Sequence, residues 1–143
     1  MGAEPLRLLA EDADDLKVIA AALQDAVAKI GDIRFEKTPR RLTIALNRFR
    51  WEAGDGARER VRAALQLGGV LSVKARNLRR DAPRAVVELL TLDFEPGDAP
   101  GGVVALTFAG GGDLRCEVEC LDVVLADVSA PWPARRVPEH EDN

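Results

Sequence analysis

Basic side chains are concentrated in the middle of this 143-residue chain. Residues 34–84 hold 14 of the 20 Lys and Arg but only 5 of the 24 Asp and Glu, although the formal net charge of the whole chain is −4. Guanidinium groups bind carboxylates and phosphates through a planar fork of donors. This asymmetry predicts an anion-binding face, and the favoured alternative is neutralisation by acidic strands of the same fold.

The basic residues of two neighbouring segments are predicted to share one sheet face. Alternating apolar and polar residues predict strands over 60–67 and 71–76. A three-residue loop at Gly68-Gly69, with a glycine in the left-handed region, would pair the two strands so that their apolar faces coincide. Arg60 and Arg62 then lie opposite the basic residues of the second strand. Such like-charged pairs are unfavourable unless an anion binds there.

Residues 42–51 are predicted to form a long bent strand. Their apolar residues occupy even positions up to Asn47, after which the bulky residues are the odd-numbered Phe49 and Trp51. A strand changes its buried face in this way through a bulge or by crossing between sheets. A cleft at this kink, lined by Asn47 and Trp51, is the alternative site. With Phe49 and Trp51 buried, the candidate binding residues are Arg48, Arg50, Arg60, Arg62, Lys74 and Arg76.

Residues suited to acid–base or nucleophilic chemistry are scarce. His140 is the only histidine, there is no tyrosine, and Ser72 and Ser129 are the only serines. Cys116 and Cys120 would lie about 13 Å apart along a strand, too far to form a disulfide. Both are predicted to be buried thiols of a reducing compartment. The sequence predicts no catalytic residue, no metal site and no cofactor; whether the protein is an enzyme stays open, with a non-catalytic role favoured.

The overall charge and hydropathy narrow the range of partners. An acidic chain is repelled by nucleic-acid phosphates at long range, which disfavours nucleic acid. No apolar run approaches the ~18 residues of a membrane helix, and residues 1–5 lack the regions of a secretory signal. We therefore expect a cytoplasmic protein that binds an unknown protein partner, or its own copy, through an arginine-rich sheet face. The alternative is a small-anion-binding protein or enzyme with a cleft near the strand kinks.

The remaining segments predict an α+β fold, mainly antiparallel β-sheet with one N-terminal helix. Asp12 is a suitable helix N-cap, and the helix is expected to end near Asp25. Residues 27–35 are then free to pair with the strand that begins at Arg41. Matching the two apolar faces places Phe35 opposite Leu42 and Ile33 opposite Ile44.

A second bent strand is predicted over residues 114–125. Its apolar residues change from even to odd positions, as in 42–51, with a constant offset of 72 residues. An internal duplication of a bent-strand hairpin is one interpretation, and chance similarity between amphipathic strands is the other. Residues 1–128 are predicted to form a single globular domain. Residues 129–143 form a C-terminal tail with three prolines, whose end is expected to be disordered.

Several short runs of the chain resemble one known family. They are Gln24-Asp25-Ala26-Val27, Gly31-Asp32, the run Leu46-Asn47-Arg48-Phe49-Arg50-Trp51-Glu52, Phe94-Glu95-Pro96, and Phe108-Ala109-Gly110-Gly111-Gly112. Through them the chain is similar, over nearly its whole length, to a small bacterial family catalogued as domain of unknown function 2948. The resemblance implies a stand-alone cytoplasmic bacterial protein. That family has no assigned activity, so the resemblance implies no substrate and no site residue.

Overall fold

Antiparallel strands dominate the fold of this chain. The computed structural model describes residues 5–52 and 58–134, so the predictions for the loop near residue 55, for His140 and for the tail end lie outside the described residues. In chain order the elements are β1 (Arg7–Ala10), α1 (Ala13–Ala22), β2 (Val27–Lys29), a 3-10 turn (Ile30–Asp32), β3 (Ile33–Glu36), β4 (Arg41–Phe49), β5 (Glu59–Leu67), β6 (Val70–Arg76), β7 (Val86–Pro96), β8 (Gly102–Phe108), β9 (Asp113–Val118), β10 (Val123–Asp127) and β11 (Trp132–Pro133). The fold is α+β and mostly sheet, as predicted.

The strands form two sheets that share one core. In sheet A the order is β1-β10-β5-β4, with β3 and β2 both pairing with β4 and β11 pairing with β5. In sheet B the order is β7-β8-β9-β6, and the start of β7 pairs with β2 to join the two sheets. Leu65 and Leu125 of sheet A meet Leu106 and Cys116 of sheet B in a single apolar cluster. We call the faces that meet in this cluster the inner faces.

The pairing of β3 with β4 has the predicted register. Ile33 lies opposite Ile44, and Phe35 lies opposite Leu42. Both pairs continue inner-face rows that cross sheet A, because residues directly opposite each other in antiparallel strands point to the same side. The two rows are Leu8–Leu125–Leu65–Ile44–Ile33 and Ala10–Val123–Leu67–Leu42–Phe35.

Helix α1 begins at the predicted N-cap. The Asp12 side chain accepts a hydrogen bond of 2.8 Å from the Asp15 amide, and Leu16, Ile19 and Leu23 enter the common core. The helix ends at Ala22, earlier than predicted. The 3-10 turn divides the predicted strand over 27–35 into the short strands β2 and β3. With ten residues α1 is too short to span a bilayer, and no other helix within residues 5–52 and 58–134 has the length and hydropathy of a transmembrane segment.

The predicted bend in residues 42–51 is wrong. β4 keeps an unbroken register with β5 from Leu42 to Phe49, so Asn47 does not lie at a bulge. Arg48 continues the even-numbered inner face, and both Arg48 and Phe49 are buried. The bulky residues at odd positions suggested that the strand changes its buried face. Instead, Arg48 is buried on the inner side of sheet A and Phe49 is buried on the other side.

The second predicted bent strand is divided between the two sheets. Leu114, Cys116 and Val118 belong to the inner face of sheet B, whereas Val123 and Leu125 belong to that of sheet A. The change from even to odd positions therefore marks a crossing between sheets, one of the two explanations considered. Hairpins β3–β4 and β8–β9 both form, but the strand crossing between sheets occurs only after β9.

The predicted hairpin between β5 and β6 is absent from the described pairings. β5 pairs with β4, β10 and β11, whereas β6 pairs with β9 in the other sheet. Gly69 adopts the predicted left-handed conformation with φ of +63°, yet the turn directs the chain into sheet B. Alternation along a strand specifies which side is buried but not which strand lies beside it, so the pattern was equally compatible with both arrangements.

Candidate functional site

The structure does not bring the six candidate basic residues into one row. β4 and β5 belong to sheet A, whereas β6 belongs to sheet B, so the predicted juxtaposition of Arg62 with Lys74 and of Arg60 with Arg76 is wrong. Four of the six are bonded to carboxylates of the same chain, as the neutralisation alternative expected. These four are Arg48, Arg50, Arg62 and Arg76.

Arg48 is fully buried and all of its donors are used. Nε and Nη2 donate to the two carboxylate oxygens of Asp127, at 2.9 Å each. Nη1 and Nη2 also donate to the Glu52 carboxylate at 2.9 and 2.8 Å, and Nη1 donates to the Phe49 carbonyl at 3.1 Å. An arginine side chain has five N–H donors, so none remains for a ligand. We call Arg48, Asp127 and Glu52 the Arg48 clasp.

The Arg48 side chain reaches Asp127 by crossing β5. Asp127 lies opposite Ala63 and Arg48 lies opposite Val61, so two strand spacings, roughly 10 Å, separate the backbones of β4 and β10. The small Ala63 side chain leaves room for the guanidinium on the inner face. The Leu6 amide also donates to Asp127 at 2.9 Å. The clasp therefore connects the ends of two strands with the segment before β1.

The charges of the clasp stabilise one another. Desolvation acts to lower the pKa of Arg48, but the hydrogen bonds and negative charges of Glu52 and Asp127 outweigh it and raise that pKa above its ordinary value. The hydrogen bond from Arg48 in turn lowers the pKa of the Glu52 carboxyl. Arg48 and Glu52 are therefore both charged at neutral pH.

Phe49 is buried on the opposite side of the same strand end. The Arg60 guanidinium lies over its ring, 4.0 Å from the centroid, which is a cation–π arrangement. The Trp51 ring lies 5.6 Å from that of Phe49, and its Nε1 donates to the Gln24 carbonyl at 3.0 Å. Burial lowers the pKa of Arg60, and its Nη1 has no hydrogen-bond partner among the described residues. Trp51 therefore supports this stack and its ring nitrogen is already bonded.

Arg62 and Arg50 are held by neighbouring side chains. Arg62 donates to Asn47 Oδ1 at 3.2 Å and to Asp32 Oδ2 at 3.1 Å. Arg50 is bonded to Glu59. Asn47, the other residue of the alternative cleft, thus positions an arginine on the outer face of sheet A.

Of the two basic residues of β6, Arg76 lies opposite the acidic Asp113 of β9, whereas Lys74 lies opposite the basic Arg115. Arg76 Nη2 lies 2.6 Å from Asp113 Oδ2, and Arg115 donates across β8 to both Glu95 oxygens at 2.6 and 3.2 Å. Lys74 lies opposite Arg115 and lines an open recess of about 610 Å³ on the outer face of sheet B. Charges of both signs alternate on this face, so it does not form a cationic patch.

A different basic surface lies on the outer face of sheet A. The register places two rows of side chains there, each contributed by several strands. They are Leu9–Val124–Gln66–Thr43–Arg34 and Arg7–Ala126–Ala64–Ala45. We name these nine residues, together with Asn47 and Arg62, the sheet A outer face.

Two arginines of this face have no partner among the described residues. Arg7 of β1 and Arg34 of β3 are both exposed, and neither guanidinium has a hydrogen bond or ion pair within residues 5–52 and 58–134. Four strand spacings separate β1 from β3, which is about 19 Å. The sequence does contain a signal for each of them, since each is a polar residue between two apolar ones, but only the topology places them on one face.

One protein-family model matches almost the whole chain. A family model described as "Protein of unknown function (DUF2948)" matches residues 6–140. The chain belongs to the DUF2948 family. The helix and all of the described strands lie within the matched range. The match confirms the resemblance that was drawn from the sequence. No curated protein and no solved structure matches the chain, and the family description assigns no role to any residue.

The described part of this DUF2948 protein offers little for metal binding. Within residues 5–52 and 58–134 no group of three or more His, Cys, Asp and Glu side chains could hold a metal ion. Cys116 is buried on the inner face of sheet B, as predicted, whereas Cys120 lies exposed in the crossing between β9 and β10. The expectation that both thiols are buried is therefore wrong for Cys120, because the strand ends before it.

The two thiols are expected to differ in reactivity. Burial raises the pKa of Cys116 to about 12, and the thiolate is the reactive form. In the folded protein an aromatic disulfide reagent should therefore modify Cys120 rapidly and Cys116 only after denaturation. The measurement is the number of thiols released per chain before and after adding guanidinium chloride. Fast modification of a Cys120→Ser variant under native conditions would contradict this expectation.

Proposed function

We propose that this DUF2948 protein is a non-catalytic interaction domain that binds an acidic protein surface through the sheet A outer face. The observation that carries the proposal is the pair of unpartnered arginines, Arg7 and Arg34, at opposite ends of that face. The side chains between them are small or uncharged, including Ala45, Ala64 and Ala126. A weakly charged centre with arginines near its margin is typical of protein–protein interfaces.

Charge favours an acidic partner over a second copy of the chain. Of the arginines that the described strands of sheet A direct to this side, Arg41 pairs with Glu36 and Arg62 with Asp32. Arg7 and Arg34 have no such side-chain partner within residues 5–52 and 58–134. Two copies docked face to face would bring cationic rims together, which is unfavourable. Nucleic acid is disfavoured because the net charge of the whole chain is −4.

The size of the face predicts a weak interaction. It extends about 19 Å across the strands and, with Arg41 at its margin, about 20 Å along the outward residues of β4 as far as Asn47. The projected area is on the order of 400 Å², which lies at the low end of the range for specific complexes. We therefore infer a transient complex in which the arginines contribute mainly to association rate and orientation.

The setting that we infer for this interaction is the bacterial cytoplasm. Cys116 and Cys120 are free thiols, and reducing compartments keep thiols in this state. The alternative function, a small-anion cleft near Asn47 and Trp51, has less support, because Trp51 Nε1 is already bonded to the Gln24 carbonyl and Asn47 Oδ1 to Arg62.

Site-specific photo-crosslinking in the native cell tests the proposal. A photoreactive amino acid at Thr43, in the centre of the face, should form an adduct with an acidic protein, whereas one at Thr107 on the outer face of sheet B should not. Replacing Arg7 and Arg34 by Glu should reduce that adduct about tenfold, because two attractive contacts become repulsive. Lys74→Glu, a charge reversal on sheet B, is the matched control and should leave the yield unchanged.

Three results would count against this function. They are an adduct that survives the double reversal, an equal yield from Thr43 and Thr107, and an adduct of twice the mass of the chain. The last result would assign the face to self-association.

A further inference from the structure

A small apolar recess opens between the free edges of β3 and β6. It has a volume of about 240 Å³ and is lined by Ile30, Ile33, Ala75, Leu78, Leu114 and Arg80. It shares no residue with the sheet A outer face, so an inference about it does not depend on the function proposed above.

The recess exists because the two sheets separate at this point. The Val70 amide at the start of β6 donates to the Arg40 carbonyl at 2.8 Å, which holds that end of β6 against the turn before β4. Beyond this bond, β3 pairs with β4 and β6 pairs with β9, and the described residues show no pairing between β3 and β6. Ile33 and Leu114, which belong to the two inner faces, therefore border an opening.

Arg80 is the charged residue of this lining, and its guanidinium has no partner among the described residues. The loop that carries Arg80 is fixed to the 3-10 turn, since the Gly31 amide donates to the Pro83 carbonyl at 2.8 Å. Three carboxylates adjacent in sequence to residues of this lining each form an ion pair with another arginine. These pairs are Asp81 with Arg79, Asp32 with Arg62, and Asp113 with Arg76.

We propose that this recess binds a small apolar carboxylate. The hydrocarbon part would lie against Ile33, Leu78 and Leu114, and the carboxylate would accept hydrogen bonds from the Arg80 guanidinium at the rim. Charge complementarity selects an anion, because Arg80 is the charged group of the lining. A small hydrophilic anion would gain only the Arg80 guanidinium and nothing from the apolar lining, so the lining favours a ligand with a hydrocarbon part.

The volume limits the size of this ligand. A dry protein cavity of about 150 Å³ accommodates benzene, so 240 Å³ accommodates roughly ten non-hydrogen atoms. An eight-carbon fatty acid has this size. The recess is smaller than the pockets of about 300–1,000 Å³ that hold drug-sized ligands and cofactors, so it would enclose only part of a nucleotide or flavin.

Titration of the folded, isotope-labelled protein with octanoate tests the proposal by NMR. Saturable shifts are expected at the amides of the recess, with a dissociation constant on the order of 0.1–1 mM for a ligand of this size. Arg80→Gln should weaken octanoate binding about tenfold while binding of octan-1-ol stays unchanged, because only the acid uses the guanidinium. Ala75→Phe should fill the recess and remove the binding of both compounds; Ala75 is exposed, so the fold is expected to persist.

Arg79→Gln is the matched control, since Arg79 is adjacent in sequence but pairs with Asp81. The proposal is overturned if shifts do not saturate up to about 10 mM octanoate, or if they concentrate outside the recess. It is also overturned if Arg79→Gln and Arg80→Gln weaken binding equally, since the effect would then reflect general charge.

Discussion

Replacing Asp127 by Ala is expected to lower the free energy of unfolding by about 3–5 kcal/mol, the usual effect of removing one member of a buried ion pair. The change leaves Arg48, which has no exposed surface, without two hydrogen bonds of 2.9 Å. It also removes the acceptor of the Leu6 amide. Urea unfolding followed by circular dichroism measures the difference.

Two further variants identify the buried charge as the cause. Replacing Arg48 by Met and Asp127 by Leu together should destabilise much less than Asp127→Ala, because no buried guanidinium is then left with N–H donors that lack acceptors. Glu95→Ala breaks a surface pair with Arg115, in which the side chains are 52% and 44% exposed, and should cost less than about 1 kcal/mol. Equal effects of Asp127→Ala and Glu95→Ala would show that burial of the clasp contributes nothing.

Replacing Phe49 by Ala is expected to lower the free energy of unfolding by a similar amount, about 3–5 kcal/mol. Phe49 is 2% exposed, and its ring supports both the Arg60 guanidinium and the Trp51 indole. The truncation creates a cavity and removes the aromatic face over which a partly desolvated guanidinium lies. Denaturant unfolding measures the loss of stability.

The matched control for Phe49 is a phenylalanine with less burial. Phe35 lies on β3, which pairs only with β4 in the described residues, and it is half-buried. Phe35→Ala should therefore destabilise less than Phe49→Ala. Phe49→Leu should restore part of the stability, since it refills most of the cavity but not the cation–π contact. Indistinguishable effects of Phe49→Ala and Phe35→Ala would contradict the stack described here.

These two predictions concern adjacent residues on opposite faces of one strand. Arg48 is held on the inner face by Asp127 and Glu52, and Phe49 is held on the outer face by Arg60. The end of β4 is thereby fixed from both sides. The two residues are adjacent in β4 and lie opposite adjacent residues of β5. The effects of the two substitutions on the free energy of unfolding should therefore not be strictly additive.

Local patterns were sufficient for several parts of this fold. Residues close in sequence were enough to predict three local features. These are the N-cap at Asp12, the left-handed backbone conformation of Gly69 and the register of Phe35 with Leu42. The α+β class also follows, because alternation over many short segments leaves few other interpretations. The sequence also suggested that acidic residues of the same fold neutralise the basic ones, but it did not predict which residues pair.

The candidate sites depended on contacts between distant parts of the chain. The sequence predicted an exposed Arg48, because its partner Asp127 lies 79 positions further along the chain. Arg7 and Arg34 share a face only because β10, β5 and β4 lie between β1 and β3. Arg80 borders a recess only because β3 and β6 remain unpaired with each other. The sequence determined the side of each strand that is buried, since that depends on alternating residue types. The tertiary structure alone decided which strands are neighbours, since strand pairing is non-local and several partners satisfy the same alternation.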